Sequence, residues 1–361
     1  MPDLSVPAVD PSLSHAFESR PRALSAWLAR LPYASPADAA QQLRAALHAM
    51  NRSALDDATR DALLALIRPA VARTRAGVET LLGETGVPPH AQPRQHAALL
   101  RELALENVYA HKHLLRVDAR QTTTRRSVRQ LGESVARLLA ALHDLQVAYY
   151  LTSSPLPPGL WQDMHRVYAL AANGNLADTA LGDALPAGLV YRMALLLALA
   201  DPPRMSRGEL QHTRAYLRAY AGLAALRPEP PGEAGFAIDP GGDQGPGGEP
   251  GEGGLWLDTD ALCRQLHDTA LRLRTGDTPR KLGLPDTMEG ELSLLTAKRL
   301  SKRWRNSVQR VFARRTGAAG TVEVVAGVCA IHRLLAPAGG ALPAAADDAM
   351  PIDDVGLGGA S

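Results

Sequence analysis

The chain has 361 residues, with 39 Lys and Arg against 37 Asp and Glu, so its formal net charge is only +2. This balance excludes a chain that attracts polyanions over its whole surface. Hydrophobic residues make up 46% of the sequence and aromatic residues only 4%. That composition suits packed helices better than a β-sandwich.

Cysteine content and the apolar runs bear on the compartment. The two cysteines, Cys263 and Cys329, are too few for a disulfide framework and have no metal-site spacing. The longest uninterrupted apolar run covers residues 193–200, whereas a bilayer-spanning helix needs about 20 residues. The N-terminus lacks the basic start and apolar core of an export signal. We therefore expect a cytoplasmic protein with no membrane span.

The first two thirds of the chain predict helices. Residues 1–23 are expected to form a disordered tail, and 24–226 a helical domain. Ser35-Pro36-Ala37-Asp38 is a typical helix start, and apolar side chains then recur at helical spacing. The predicted core positions of this helix are Leu43, Ala46, Leu47 and Met50. No fixed repeat period is present, which favours an irregular helical domain over a solenoid.

Further helices are expected along the same region. A second start signal at Ser53 precedes Leu63, Leu66 and Ile67, which come before Pro69. The other predicted helices lie near 93–117, 122–151, 158–173, 186–200 and 206–226.

Composition changes after Arg227. Residues 227–254 are rich in Gly and Pro and predict a mobile linker or long loop. Two short strand-like islands touch this segment, at 235–238 and 255–257. Helices are expected beyond them, from 258 to 274 and from 289 to about 308.

The C-terminal part predicts a small α+β region over 255–335. Its strand signal is the β-branched segment 321–331. Residues 336–361 are rich in Ala, Gly and Pro and are expected to be a poorly ordered tail. The predicted fold class is therefore mainly α, with a small α+β region after the linker.

A basic run covers residues 298–315, with eight Lys and Arg and no acidic residue. Such a local excess in a balanced chain is typical of a polyanion site. On a helical wheel Arg299, Arg303, Arg310 and Arg314 share one face. The opposite side carries Leu300, Trp304, Val308 and Val311. Two interpretations stay open: an amphipathic helix whose polar face is basic, and an anion-binding segment.

Other polar motifs have simpler interpretations. His111-Lys112-His113 lacks metal-ligand spacing, and we interpret His165 as a packing or hydrogen-bonding residue. Asp260 or Thr259 is expected to cap a helix. The sequence contains no nucleophile elbow, no phosphate-binding loop and no zinc-protease motif. We therefore predict neither an enzyme nor a cofactor or metal site.

The basic run carries a family resemblance. Arg310-Val311-Phe312-Ala313-Arg314 and the later segment 353–360 resemble the paired motifs of PilZ domains. PilZ domains bind cyclic di-GMP through an Arg-x-x-x-Arg segment and an Asp/Asn-x-Ser-x-x-Gly segment on a six-stranded barrel. The preceding region resembles the helical N-terminal part of longer proteobacterial PilZ proteins. The stretches that carry this second likeness are 31–52, 161–168, 191–203 and 321–335.

The resemblance implies a ligand site. By it, Arg310 and Arg314 would clamp the phosphates and guanines of cyclic di-GMP, with Arg315 as an auxiliary contact. Asp354 would meet a guanine edge, and Gly359 would let the backbone approach closely. Gly356 stands where the motif has serine. Only one or two strands follow Arg314, so the resemblance implies an incomplete barrel.

The leading hypothesis from the sequence is a cytoplasmic, non-enzymatic signalling or adaptor protein that binds cyclic di-GMP and engages a protein partner through its helical domain. One alternative is a helical scaffold that binds no nucleotide. Another is a nucleic-acid binder that uses the basic run, which the scarcity of nearby aromatic residues disfavours.

Overall fold

The computed structural model describes residues 4–13, 19–83, 91–119, 125–231, 235–247, 251 and 253–305. These residues belong to one compact unit, Met1–Arg310. They form ten α-helices and one three-stranded sheet, which confirms the mainly α fold class. The helices are α1 (Pro21–Ala29), α2 (Pro36–Arg52), α3 (Asp57–Gly83), α4 (Ala91–Asp118), α5 (Arg125–Leu151), α6 (Leu160–Asn173), α7 (Ala187–Leu199), α8 (Arg207–Tyr220), α9 (Asp260–Arg274) and α10 (Gly290–Arg305). The strands are β1 (Ala225–Arg227), β2 (Gly235–Ile238) and β3 (Leu255–Asp258).

Helices α2 to α5 form the first part of the core. Helix α4 packs against α2, α3 and α5. The predicted core positions of α2 are confirmed, since Leu43, Leu47 and Met50 are fully buried and Ala46 is nearly so. Helix α3 contains Pro69 in its interior. Proline removes one backbone hydrogen bond, and the exposed position of Pro69 keeps its ring out of the packed face.

An aromatic and histidine cluster joins α6 to α7. His165 is 1% exposed, stacks on Trp161 and contacts Tyr191 edge-on. Its Nε2 donates to the Gln244 carbonyl oxygen at 2.9 Å, so in the neutral ring Nδ1 accepts from the Tyr191 hydroxyl at 2.6 Å. Burial lowers the pKa of His165. This confirms the packing or hydrogen-bonding role predicted for His165.

The segment 227–254 differs from the mobile linker that composition predicts. It contains β2, whose Phe236 and Ile238 are buried, and β2 pairs antiparallel with β3 in a sheet of order β1-β3-β2. Both strand-like islands are thus confirmed as strands. Asp243 accepts backbone hydrogen bonds from Gly159, Trp161 and Gln162 and so caps α6. A carboxylate at a helix N-terminus satisfies unpaired amides, which ties the Gly-rich chain to the helices.

The N-terminal segment also departs from a disordered tail in its described part. Leu4 is 2% exposed and joins the hydrophobic core. The Asp10 amide donates to the Arg52 carbonyl oxygen at 2.8 Å. A single buried leucine and backbone bonds to α2 are enough to fix a short extended segment that has no periodicity of its own. The domain boundaries themselves stay a prediction.

Helices α9 and α10 pack on each other, and α10 also contacts α8. Thr259, one of the two predicted caps, stands at the N-cap position of α9 but makes no capping bond with its side chain. The Asp258 carboxylate instead accepts from the Asp260 amide at 3.0 Å. The Thr259 side chain instead donates to the Trp304 carbonyl oxygen at 2.6 Å. This bond satisfies one of the last carbonyls of α10, which have no partner inside the helix.

Candidate ligand-binding site

The first half of the basic run forms the last turns of α10. Leu300 and Trp304 are fully buried, as the helical wheel predicted. The Trp304 indole Nε1 donates to the Leu196 carbonyl oxygen at 2.9 Å, at the end of α7. The amphipathic-helix interpretation therefore holds for the described residues 298–305.

Two arginines on the polar face of α10 are used inside the protein. Arg299 Nη1 donates to Glu209 Oε1 at 2.7 Å, and its Nη2 donates to the Arg204 carbonyl oxygen at 2.7 Å. Arg303 Nη2 lies 2.9 Å from Asp201 Oδ2. The bond to Arg299 contributes to a lowered pKa of Glu209, against the opposing effect of burial. These two guanidinium groups hold α10 against the start of α8.

Three other cations of α10 face solvent. Lys298, Lys302 and Arg305 are exposed and make no ion pair with any described residue. Their spacing places them on one side of the helix, the side that does not meet α8. The free positive charge of the described run is thus smaller than the sequence suggested and lies along one exposed stripe.

The predicted ligand residues lie outside the described part of the chain. They are Arg310, Arg314, Arg315, Asp354 and Gly359, and the expected strands at 321–331 and the wheel positions Val308 and Val311 also lie there. Their roles stay predictions. The structure supplies what comes immediately before them, an α10 that ends at Arg305 with Trp304 fixed in the core.

The same Arg-x-x-x-Arg spacing also occurs in helices that the structure describes, where the neighbours of both arginines are known. Arg299 and Arg303 form one such pair, and both are neutralised by carboxylates. Arg214 and Arg218 on α8 form another. Arg214 pairs with Glu79 at 2.8 Å, whereas Arg218 is exposed and has no ion pair among the described residues. The spacing therefore does not by itself identify a ligand site.

Arg214 and Arg218 line a cleft between α8 and the segment that leads into α10. Tyr220 donates to the Leu282 carbonyl oxygen at 2.6 Å and Tyr216 to the Ser293 carbonyl oxygen at 3.1 Å, which holds this segment against α8. The cleft has a volume of about 590 Å³, within the range of small-molecule sites. The other side chains around it are Gln211, His212, Ala215, Ala219, Leu284, Pro285, Thr287 and Met288. Burial lowers the pKa of His212, so a neutral imidazole faces this cleft.

The histidines singled out by the sequence have structural roles. Lys112, between His111 and His113, is buried and forms an ion pair with Asp163 at 2.5 Å. Burial lowers the pKa of His111 to about 3 and that of His113 to about 4. Among the described residues no three His, Cys, Asp or Glu side chains come together in a group that could hold a metal ion. No helix of the described part is both long enough and apolar enough to cross a membrane.

Sequence reasoning missed the cleft on α8 and a second pocket on α3, α4 and α5. Both are lined by arginines that alternate with small side chains along a helix face. A usable signal was present, since Arg68, Val71, Ala72 and Arg75 stand at i, i+3, i+4 and i+7 on one face of α3. Small side chains between two cations leave room for a ligand, a pattern that a search for charge density overlooks.

Comparison with known proteins gives two matches. A family model described as the N-terminal domain of the cyclic-di-GMP receptor FimW matches residues 22–231, more than half of the chain. The cyclic-di-GMP receptor FimW of Pseudomonas aeruginosa is 25% identical over 334 residues, covering 88% of this chain and 54% of that relative. The chain thus spans about half the length of the curated relative. The covered share exceeds what residues 22–231 supply, so the similarity extends beyond them.

No solved structure matches the chain. Neither match is to a PilZ domain, so the PilZ likeness stays a prediction.

Proposed function

Because the chain belongs to the family defined by the N-terminal domain of the cyclic-di-GMP receptor FimW, we propose that it is a cytoplasmic, non-enzymatic receptor for cyclic di-GMP. Support comes from the 25% identical relative, whose name states that it is such a receptor. The PilZ-like motif that begins at Arg310 supplies a site of matching chemistry.

The single observation that carries this proposal is the family match over residues 22–231. The attachment of α10 bears on how binding would be transmitted. Trp304 is fully buried and Arg299 and Arg303 are paired, so the helix is fixed to the rest of the fold up to its last residue, Arg305. Arg310 follows five residues later. Ligand binding at Arg310 would therefore take place close in sequence to a firmly packed helix that contacts α8 and α9.

In the proposed site, Arg310 and Arg314 bind the two phosphates and stack on the guanines. A guanidinium donates two parallel hydrogen bonds to a phosphate or to a guanine edge and stacks on planar rings. Arg315 adds a further cation, Asp354 accepts from a guanine edge, and Gly359 permits close backbone approach. Binding of the dianion at this segment would be transmitted to α10, which precedes it in the chain, and a protein partner of the helical domain would respond.

Isothermal titration calorimetry of the full chain with cyclic di-GMP tests the proposal. We expect binding heat for the wild type and a loss of roughly ten- to a hundredfold in affinity for Arg310→Ala or Arg314→Ala, because each removes a bidentate charged contact of about 1.5–3 kcal/mol. Lys298→Ala is the matched control, since it removes one exposed cation of the same run. Absence of heat for the wild type would overturn the proposal.

Two further experiments distinguish the proposed site from binding in the cleft on α8 and from nucleic-acid binding. Arg218→Ala removes the exposed arginine of the cleft on α8. If that change abolishes binding and Arg310→Ala does not, the ligand occupies the cleft and the role of the Arg310 motif is wrong. Titration with single-stranded DNA and RNA over a range of salt tests the nucleic-acid alternative, which predicts an affinity that falls steeply with salt.

Hydrogen exchange tests the proposed transmission. Addition of cyclic di-GMP should slow amide exchange in the last turns of α10 and in the part of α8 that they contact, since binding restrains the neighbouring chain. The α2–α3 region serves as the internal reference. Unchanged exchange in α10 at saturating ligand would contradict transmission through this helix while leaving binding itself intact.

A further inference from the structure

A second pocket lies between α3 and α5, with α4 as its floor. Its volume is about 180 Å³. Helix α3 contributes Arg68, Val71, Ala72 and Arg75, α5 contributes Arg137, Ala140, Ala141 and Asp144, α4 contributes Asn107 and His111, and Asp183 and Ala184 complete the wall. On both α3 and α5 the lining residues follow the spacing i, i+3, i+4, i+7, with two small residues between charged ones. We call this the arginine pocket.

The guanidinium groups of the arginine pocket differ in how they are neutralised. Arg75 forms an ion pair with Asp144. Arg137 Nη2 contacts Glu133 Oε2 at 3.2 Å and Asp183 Oδ1 at 3.0 Å. Arg68 is half-buried and makes neither a hydrogen bond nor an ion pair with the part of the chain that the structure describes.

Arg68 and Arg137 lie close enough to repel each other. Burial and then the charge of Arg137 lower the pKa of Arg68, and the more distant carboxylates of Asp183, Asp61 and Glu133 oppose this without forming an ion pair with it. The same two arginines, after burial, help to lower the pKa of His111, so the floor of the pocket is a neutral imidazole. Arg137 Nε is buried and has no hydrogen-bond partner among the described residues. A buried donor without a partner is costly. An anion bound between the two guanidinium groups would relieve their repulsion.

The carboxylate over the pocket is weakly held. Asp183 lies on a turn closed by a bridge between Leu181 and Ala184, and its side chain is 75% exposed. Gly182 has a φ of +62°, and a Cβ there would lie 3.3 Å from Arg137 Nη2, so glycine lets the turn approach Arg137 closely. An ion pair this exposed contributes little stability. Asp183 therefore occupies one edge of the site and a stronger anion can displace it.

We propose that the arginine pocket binds a phosphate-type oxyanion, with Arg68 and Arg137 as its cationic ligands and Asp183 as an internal competitor. The volume admits a tetrahedral ion with a few waters, each of which takes about 30 Å³, but is well below that of pockets for drug-sized ligands. Planar guanidinium groups match two oxygens of such an ion at once. This proposal does not depend on cyclic di-GMP binding and concerns different residues.

Equilibrium dialysis of radiolabelled inorganic phosphate against the full chain, at constant ionic strength in chloride, measures the affinity directly. Arg68→Ala should raise the Kd by roughly tenfold or more, because it removes a charge-assisted contact. Asp183→Asn should lower the Kd by roughly threefold, because the internal competitor loses its charge. Arg129→Ala is the control, since Arg129 lies on the same helix as Arg137 and also pairs with Glu133 but does not line the pocket.

The outcomes separate clearly. No saturable phosphate binding by the wild type, an unchanged Kd in Arg68→Ala, or a weaker Kd in Asp183→Asn would each overturn the proposal. Competition by guanosine monophosphate would show that the oxyanion is accepted as a phosphoryl group of a larger ligand, whereas phosphate binding without that competition would assign the site to the free ion. Arg68→Ala should leave the calorimetric affinity for cyclic di-GMP unchanged, so failure of either proposal is visible independently of the other.

Discussion

The arginines of α10 and those of the arginine pocket differ in a way that charge density does not reveal. The last turns of helix α10 carry the first part of the basic run, residues 298–305. Arg299 and Arg303 in this part are nevertheless both neutralised by carboxylates. Arg68 stands between leucines, alanines and a proline, yet it lacks an ion pair among the described residues and faces a second guanidinium. Free positive charge is set by which acidic side chains the fold brings near, and those can be ninety residues away, as Glu209 is from Arg299.

The largest expected effect tests whether α10 is truly held by the core. Trp304→Ala should lower the free energy of unfolding by about 4 kcal/mol, because it empties a fully buried site and removes the indole bond to the Leu196 carbonyl oxygen, which keeps only its bond from the Ala200 amide. Urea denaturation followed by circular dichroism measures the change. Lys302→Ala, on the exposed side of the same helix, should change stability by less than about 0.5 kcal/mol. Equal effects of the two variants would contradict the assigned orientation of α10.

The next effect is a pH dependence of the free energy of unfolding that arises in the arginine pocket. The pKa of His111 in the arginine pocket is about 3 when folded, because of burial and then the nearby Arg68 and Arg137. The unfolded chain binds a proton near pH 6.5, so it carries more protons than the folded one below that pH. Stability is therefore full above about pH 6.5 and falls as pH decreases, by up to about 1.4 kcal/mol per pH unit for this residue.

Urea unfolding at pH 7 and pH 5 tests this sign. His111→Gln should flatten the pH dependence, and part of it should remain because burial also lowers the pKa of His143 to about 4. Asp118, whose pKa burial raises, works in the opposite direction in both proteins and cancels in the comparison. Parallel pH profiles for the wild type and His111→Gln would contradict a neutral buried imidazole at this position.

How much the sequence could predict also differs between the two regions. Periodicity identified the buried side of α10 through Leu300 and Trp304, and the core of α2 through Leu43 and Leu47, because burial along a helix repeats locally. Composition gave a mobile linker at 227–254, where β2 is in fact buried and Asp243 caps α6. The Asp243 bonds depend on residues about eighty positions earlier, and β2 pairs with β3 about twenty positions later. No local pattern encodes either contact.

The candidate site shows the same limit. The spacing of Arg310 and Arg314 is visible in the sequence, but Arg214 and Arg218 share it and line a cleft on α8. The arginine pocket could be predicted only by noticing that α3 and α5 each place small residues between charged ones on one face. Even then, α3 and α5 come together over α4 only in the tertiary structure, which the spacing within each helix does not show.

A smaller effect is expected for the paired arginine of α10. Arg299→Ala should destabilise the fold by about 1–2 kcal/mol, because it removes a charged bond to Glu209 and one to the Arg204 carbonyl oxygen in a site about a quarter exposed. Glu209→Gln should lose a similar amount, and the double variant should lose less than the sum of the two. Additive losses in this double-mutant cycle would show that the ion pair contributes no coupling energy.

The smallest expected effect compares Arg68 of the arginine pocket directly with Arg299 of α10. Arg68→Ala should leave the free energy of unfolding within about 0.5 kcal/mol of the wild type, or raise it slightly. The change removes a half-buried cation with no ion pair among the described residues, and the relief of its repulsion with Arg137 offsets the loss of its weak attraction to Asp183, Asp61 and Glu133. An arginine that existed for stability would behave as Arg299 does, because its loss would leave a carboxylate without a partner. A loss of 2 kcal/mol or so, as for a broken buried pair, would mean that Arg68 is structural. A neutral result, together with weaker phosphate binding, would mean that the fold keeps this cation for a ligand.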